Sequence, residues 1–177
     1  MMQGRTAGVL ALLAVLLSTG CATPKQVFMH KWHRENYAIS DEELKTVQFY
    51  ISTEVLARDL APGEKGTPQS IVIVPSETPG MITETGPDWV RVSFQRGGSG
   101  VFFATVVTGA GDSAYWLATE VEGREGLRRM RDLDEKILRV GGAAYRLEHG
   151  VNARLLIDGK DLENLIKQRT HIPGRTK

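Results

Sequence analysis

One thiol, Cys21, and four imidazoles, His30, His33, His149 and His171, carry most of the reactive chemistry this sequence offers. A thiolate serves as a nucleophile or a soft metal ligand, and an imidazole as a general base or a metal ligand. His30 and His33 are three apart and can share one helical face, but zinc requires further ligands and none is identifiable nearby. A single cysteine excludes an internal disulfide and any multi-cysteine zinc or iron-sulfur site. No metal and no cofactor are therefore expected. Serine hydrolysis needs a nucleophile on a strained turn or beside a base, and the chain has neither G-x-S-x-G nor S-x-x-K. Ser99, among Gly97, Gly98 and Gly100, superficially imitates a phosphate loop. Such a loop opens a helix and is followed by Lys-Ser/Thr, whereas this one runs into VFFATVV, so a hairpin turn is expected. His149 falls at a strand end with no pair of carboxylates placed to orient it. Asp132 and Asp134 lie among closely alternating charges, without the Gly and distal Glu of a calcium loop. No catalytic residue is assigned, and the chain is read as non-enzymatic.

Binding chemistry is better represented. Trp89, Phe94, Phe102, Phe103, Tyr115 and Trp116 fall on three adjacent expected strands. Successive strand residues face opposite sides, so Phe102 and Phe103 must diverge, as must Tyr115 and Trp116. Either some aromatic surface is exposed or a second layer covers it. The most polar insertion, GREGLRRMRDLDEK at 123–136, reads as an exposed connection. Trp89, Phe102 and Trp116, with Arg128, Arg129 and Arg131, are the candidate residues for contact with a partner or ligand. The competing reading puts most of these aromatics in the core and leaves the polar stretch as a solvated hairpin.

The elements that must position these residues are mostly strands. Ser40-Asp41-Glu42-Glu43 is a capping box that opens a short helix. Val47, Phe49 and Ile51 then alternate with polar neighbours, which favours a strand, although a helix through 44–60 fits the same residues. Further strands are expected at 70–74 (SIVIV), 89–95 (WVRVSFQ), 101–107 (VFFATVV), 113–121 (SAYWLATEV), 137–140 (ILRV), 143–149 (AAYRLEH) and 153–158 (ARLLID). RGGSG and GAGD turn the chain between them. Short strands at this spacing, with no helices between, indicate a mainly β fold: an antiparallel small barrel or β-sandwich. A short C-terminal helix is expected at 161–169, with Leu162, Leu165 and Ile166 on one face and Asp161 as its cap. The stretch PGMITETGPDWVRVSFQ resembles one corner of a Src-homology-3-type barrel, which implies a small barrel and nothing about ligand.

The first 20 residues have the three parts of an export signal: Arg5 without a nearby acid, the apolar run Val9–Leu17, then Ser18-Thr19-Gly20. The apolar run is about half the roughly twenty residues a membrane-spanning helix needs. Leu17-Ser18-Thr19-Gly20-Cys21 resembles the lipobox of bacterial lipoproteins, with Ser18 where such boxes usually place Leu. The resemblance implies that Cys21 receives a diacylglyceryl thioether and becomes the acylated N-terminus of the mature chain. Ala22, where proteins retained in the inner membrane often have Asp, implies the outer membrane, at its periplasmic face or the cell surface. Ordinary cleavage after Gly20, leaving a free thiol, is the alternative. Residues 21–40 read as a lipidated tether in which Lys25, Lys31 and Arg34 accompany Phe28, Trp32 and Tyr37, a mixture suited to headgroups or to docking on the domain. The domain is placed at 41–170 and a basic tail at 171–177.

Of 177 residues, 41% are hydrophobic and 24% charged, which indicates a folded domain. Of the 22 Lys and Arg, Arg5 leaves with the signal, so the mature chain has 21 cations against 21 acids. That balance gives no basic footprint for a nucleic-acid backbone. The expected function is that of a non-enzymatic outer-membrane lipoprotein, an assembly or accessory subunit of an envelope complex such as a secretion, motility or outer-membrane machine. A lipid-, glycan- or peptide-binding envelope module is the alternative, and an envelope hydrolase comes last.

Overall fold

The computed structural model describes residues 25–60, 71–105, 113–123 and 125–170. The leader, Cys21, the GAGD turn and the 171–177 tail lie outside them. In chain order the elements are β1 (Gln26–Phe28), α1 (Lys31–Asn36), α2 (Asp41–Leu44), β2 (Gln48–Ile51), β3 (Val55–Asp59), β4 (Ile71–Val74), β5 (Pro79–Thr85), β6 (Trp89–Ser93), β7 (Val101–Ala104), β8 (Trp116–Glu120), β9 (Leu127–Arg129), β10 (Ile137–Val140), β11 (Ala143–His149), β12 (Leu155–Asp158) and α3 (Gly159–Thr170). The fold is mainly β, as the sequence indicates, with every strand pair antiparallel.

One sheet has the order β1-β12-β2-β5-β6-β7-β8-β9, and the other β10-β11-β3-β4. The larger sheet closes on itself. Trp116 at the start of β8 bridges Arg154 just before β12, with Leu117 N–H donating to Ala153 C=O at 2.9 Å and Leu155 N–H to Tyr115 C=O at 3.0 Å. Strands β12, β2, β5, β6, β7 and β8 therefore form a small barrel closed at that seam. Its interior follows from alternation: Val90 pairs with Phe103 and Phe103 with Leu117, all three buried. Phe49 and Ile51 on β2 and Leu155 and Ile157 on β12 fill the same interior. Each such side chain contributes roughly 1.5–3 kcal/mol when it leaves water.

The segment 44–60 is two strands, and its chain passes from one sheet to the other. β2 belongs to the barrel, and after Ser52, Thr53 and Glu54 the chain enters β3 of the smaller sheet. Val55, Ala57, Val74, Leu138 and Leu147 extend the same buried cluster across that sheet. A tie between the sheets runs from the Arg139 N–H to Thr119 Oγ1 at 3.0 Å.

Residues 26–40, assigned above to a tether, belong to the domain. Gln26–Phe28 pair with Leu156–Asp158, and Met29 and Ile39 are buried. Short irregular elements carry this segment, so it shows no period of its own. The domain therefore includes residues from Gln26 onward, ahead of the boundary expected at 41. The polar stretch 123–136 is likewise more ordered than an exposed connection: β9 extends the larger sheet, and a 3₁₀ turn at Met130–Asp132 buries Met130 completely. At the C-terminus α3 starts at Gly159, and its first turn is capped by Asp158, whose Oδ1 accepts from the Lys160 N–H at 2.7 Å, instead of by Asp161. Leu162 and Leu165 pack inward as expected.

Candidate functional site

The outer surface of β6 to β9 gathers most of the residues singled out from the sequence. Directly paired residues on neighbouring antiparallel strands share a face. The register places Trp89 beside Ala104 and Ala104 beside Trp116, while Arg91, Phe102, Ala118 and Arg129 form the next row. Trp89, Phe102, Trp116 and Arg129 thus lie on one side of the sheet. Phe103 and Tyr115 point the other way and are buried, which is the divergence required by alternation.

The aromatics are partly covered. The Trp89 indole lies against Gly86, where an added Cβ would come within 2.2 Å of the ring nitrogen, and it meets Phe102 edge-on at 5.4 Å. Arg91 stands over Phe102 at 5.0 Å and pairs with Glu84 at 2.8 Å. Trp116 is only 6% exposed, so of the two outcomes that alternation allows, exposure or a covering layer, it takes the second. Its cover includes guanidinium groups. Arg131 sits 4.3 Å and Arg154 4.8 Å from the Trp116 ring, and Arg154 also stacks on Phe28 at 3.6 Å. Guanidinium over a π face is electrostatically favourable and holds an otherwise flexible side chain in place.

No family model matches the chain, and no curated protein or solved structure matches it either. The site must be read from its own geometry.

The candidate arginines separate into three environments. Arg129 is tied to Asp132 by a 2.6 Å ion pair. Arg131 approaches the same carboxylate only at 4.0 Å, and among the described residues nothing else accepts from its guanidinium. Arg128, opposite Thr119, is exposed and projects to the other side of β9 from Arg129. Arg154 was not singled out from the sequence, and Phe28 entered there only as one of the aromatics of the tether. The chain separates them widely, and only the pairing of β1 with β12 and the Trp116–Arg154 bridge brings both to Trp116.

Beyond β9 lies an acid-lined cleft of about 470 Å³, formed by Thr119–Glu122, Asp132–Glu135, Ile137 and Arg139. Arg139 pairs there with Glu122 at 3.0 Å. The polar stretch thus has a cationic side over Trp116 and an anionic side toward β10.

Among the described histidines, His30 and His33 take structural places. His33 is buried, its Nδ1 accepts the His30 N–H at 3.1 Å, and its ring lies 3.8 Å from Trp32. Burial, reinforced by nearby His30, lowers its pKa to about 4. A neutral imidazole accepting at Nδ1 carries its proton on Nε2. His30 Nδ1 stands 3.3 Å from Ser113 Oγ, tying the entry of β8 to α1. His149 is exposed at the end of β11, and the neighbouring Glu148 is held by Arg58 at 2.6 Å. Ser99 lies in the β6–β7 hairpin, whose turn is closed by Gly98 N–H donating to Gln95 C=O at 2.9 Å.

Proposed function

We propose that this chain is an outer-membrane lipoprotein, anchored through an acylated Cys21, whose domain serves without enzymatic chemistry as an assembly or accessory subunit of an envelope complex. The observation that carries the reading is the order Leu17-Ser18-Thr19-Gly20-Cys21 followed within five residues by β1. The five steps from Cys21 to Gln26 span at most about 18 Å, so an anchor at Cys21 would hold the barrel close to the headgroups. Three acyl chains, at about 0.8 kcal/mol per buried methylene, make such attachment effectively permanent.

Labelling cells with a radioactive fatty acid tests the anchor: the wild type should incorporate label and Cys21→Ser should not. Equal labelling of the two would remove the reading. Crosslinking in cells followed by mass spectrometry tests the subunit role, and recovery of the protein only as an uncomplexed monomer would count against it.

A second reading, an envelope module that binds a lipid, glycan or peptide, is favoured by the aromatic and arginine face on β6 to β9. The half-buried Trp89 and Phe102 and the guanidinium groups over Trp116 suit an anionic, partly apolar ligand better than a neutral sugar.

A further inference from the structure

We infer that Arg131 and Arg154, held over Trp116, form a binding site for a phosphoryl anion. The inference concerns ligand chemistry and does not depend on the anchor at Cys21.

Arg154 carries the inference. Its guanidinium carbon is close to two rings, 3.6 Å from the centre of Phe28 and 4.8 Å from that of Trp116. Its backbone is used, with the N–H donating to Ser52 Oγ at 2.9 Å and the C=O accepting from Ser52 N–H at the same distance. Among the described residues, however, no carboxylate, carbonyl or hydroxyl accepts from its guanidinium. A guanidinium has five N–H donors in its plane and no acceptor. A guanidinium stacked on rings keeps its donors in its own plane, at the edge through which arginine meets phosphate or carboxylate by paired hydrogen bonds.

Arg131 supplies the second cation. It lies 4.3 Å from the same Trp116 ring, with its side chain 41% exposed. The acid that would neutralise it, Asp132, is engaged by Arg129 at 2.6 Å. On the same face the Arg91 charge is likewise taken, by Glu84 at 2.8 Å. Among the described residues, the two guanidinium groups on this indole therefore have no carboxylate nearer than the 4.0 Å between Arg131 and Asp132. Like charges gathered on one ring repel each other, so an anion shared between them relieves the repulsion and adds charge-assisted hydrogen bonds.

A phosphoryl group matches better than a single carboxylate because its three oxygens can meet two forks at once. That group can belong to an acidic lipid headgroup or to a soluble phosphate. Phe28 is seven residues past Cys21, a reach of about 24 Å when extended, which favours the headgroup if the anchor is in place.

The test uses the full wild-type chain in dodecylmaltoside micelles, observing the arginine side-chain Nε–Hε signals by NMR. Two probes are titrated: inorganic phosphate, and phosphatidylglycerol added to the micelles, with phosphatidylcholine as the zwitterionic comparison. Saturable shifts at Arg131 and Arg154 are expected, and Arg154→Gln should weaken the apparent affinity about tenfold. Arg131→Gln should do the same from an exposed position where misfolding does not intervene, whereas Arg128→Gln should leave affinity unchanged. Response to phosphatidylglycerol alone identifies a headgroup, and an equal response to inorganic phosphate identifies a free phosphoryl ligand. Absence of shifts with both probes, or an equal loss in Arg128→Gln, would overturn the site. Failure of the anchor would appear separately, as unlabelled Cys21.

Discussion

The Nη1 of Arg34 donates a 2.8 Å hydrogen bond to the Tyr115 hydroxyl, linking α1 to a side chain that is fully buried in the barrel. The same guanidinium donates to Gly86 C=O at 3.0 Å and pairs with Asp41 at 2.7 Å. One cation thus gathers α1, α2, the β5–β6 turn and the residue that leads into β8. Burial raises the Tyr115 pKa, with Arg34 acting in the opposite direction, so the hydroxyl stays protonated and can both accept from Arg34 and donate. Tyr115→Phe keeps the ring and removes one bond, and Arg34 retains its other partners. A loss of about 1 kcal/mol in urea denaturation is expected. An unchanged midpoint would mean that the bond contributes nothing to holding α1.

Met29 offers a sharper test of where the domain begins. Its side chain is 1% exposed, its N–H donates to Leu155 C=O at 2.9 Å, and its C=O accepts from Tyr115 N–H at 3.1 Å. Met29→Ala leaves the backbone bonds but opens a cavity beside the barrel seam. Destabilisation of about 2–5 kcal/mol is expected by chemical denaturation. A tether residue would show almost no change, so the measurement separates the two descriptions of residues 26–40.

His33 predicts how stability varies with pH. The unfolded chain protonates this histidine near its ordinary pKa of 6.5, whereas the fold resists protonation down to about 4. Between those values the unfolded state binds more protons, so stability falls as pH falls. Its contribution is fully present above about pH 6.5 and is lost progressively toward pH 4, by at most about 3 kcal/mol. Protonation at Nδ1 would also break the bond accepted from the His30 N–H. An NMR titration of the His33 ring should stay flat through pH 5. A midpoint near 6.5 would disprove the account.

Legibility from the sequence followed the length and regularity of each element. Val90, Val92, Phe49 and Ile51 alternate with polar neighbours, and the barrel strands they mark are where alternation puts them. The capping box at Ser40 and Glu43 is present, with Glu43 N–H donating to Ser40 Oγ at 3.3 Å and Ser40 N–H to Glu43 Oε2 at 2.8 Å. By contrast, β1 and β9 have three residues each, too few for a period to register. Both owe their existence to a neighbour already in place, β12 for one and β8 for the other. The candidate site was legible to a similar degree. Alternation put Trp89, Phe102 and Trp116 on one side, because register follows from strands that the sequence marks. Arg154 was not visible, since its role depends on barrel closure, and no local pattern encodes which distant strands meet.

Gly150 tests that closure from the other side. It has φ +91°, a backbone conformation that L-residues rarely adopt, between β11 and the segment leading to β12. An added Cβ there would stand 2.5 Å from the Glu54 carbonyl oxygen and 2.9 Å from the Val55 Cα, both backbone atoms that cannot rotate away. The Gly150 C=O also accepts from Ala153 N–H at 2.9 Å, and Ala153 C=O accepts the bond from Leu117 that helps shut the barrel. Gly150→Ala therefore strains the turn and displaces β3 at once. The strain costs about 1–3 kcal/mol, with the clash added to it. Thermal unfolding should show a fall of several degrees in Tm. Hydrogen exchange should quicken first at the Leu117 and Leu155 amides on the seam, ahead of the Val90 and Val92 amides across the barrel. Uniform acceleration across all of these amides would show that the turn does not govern closure.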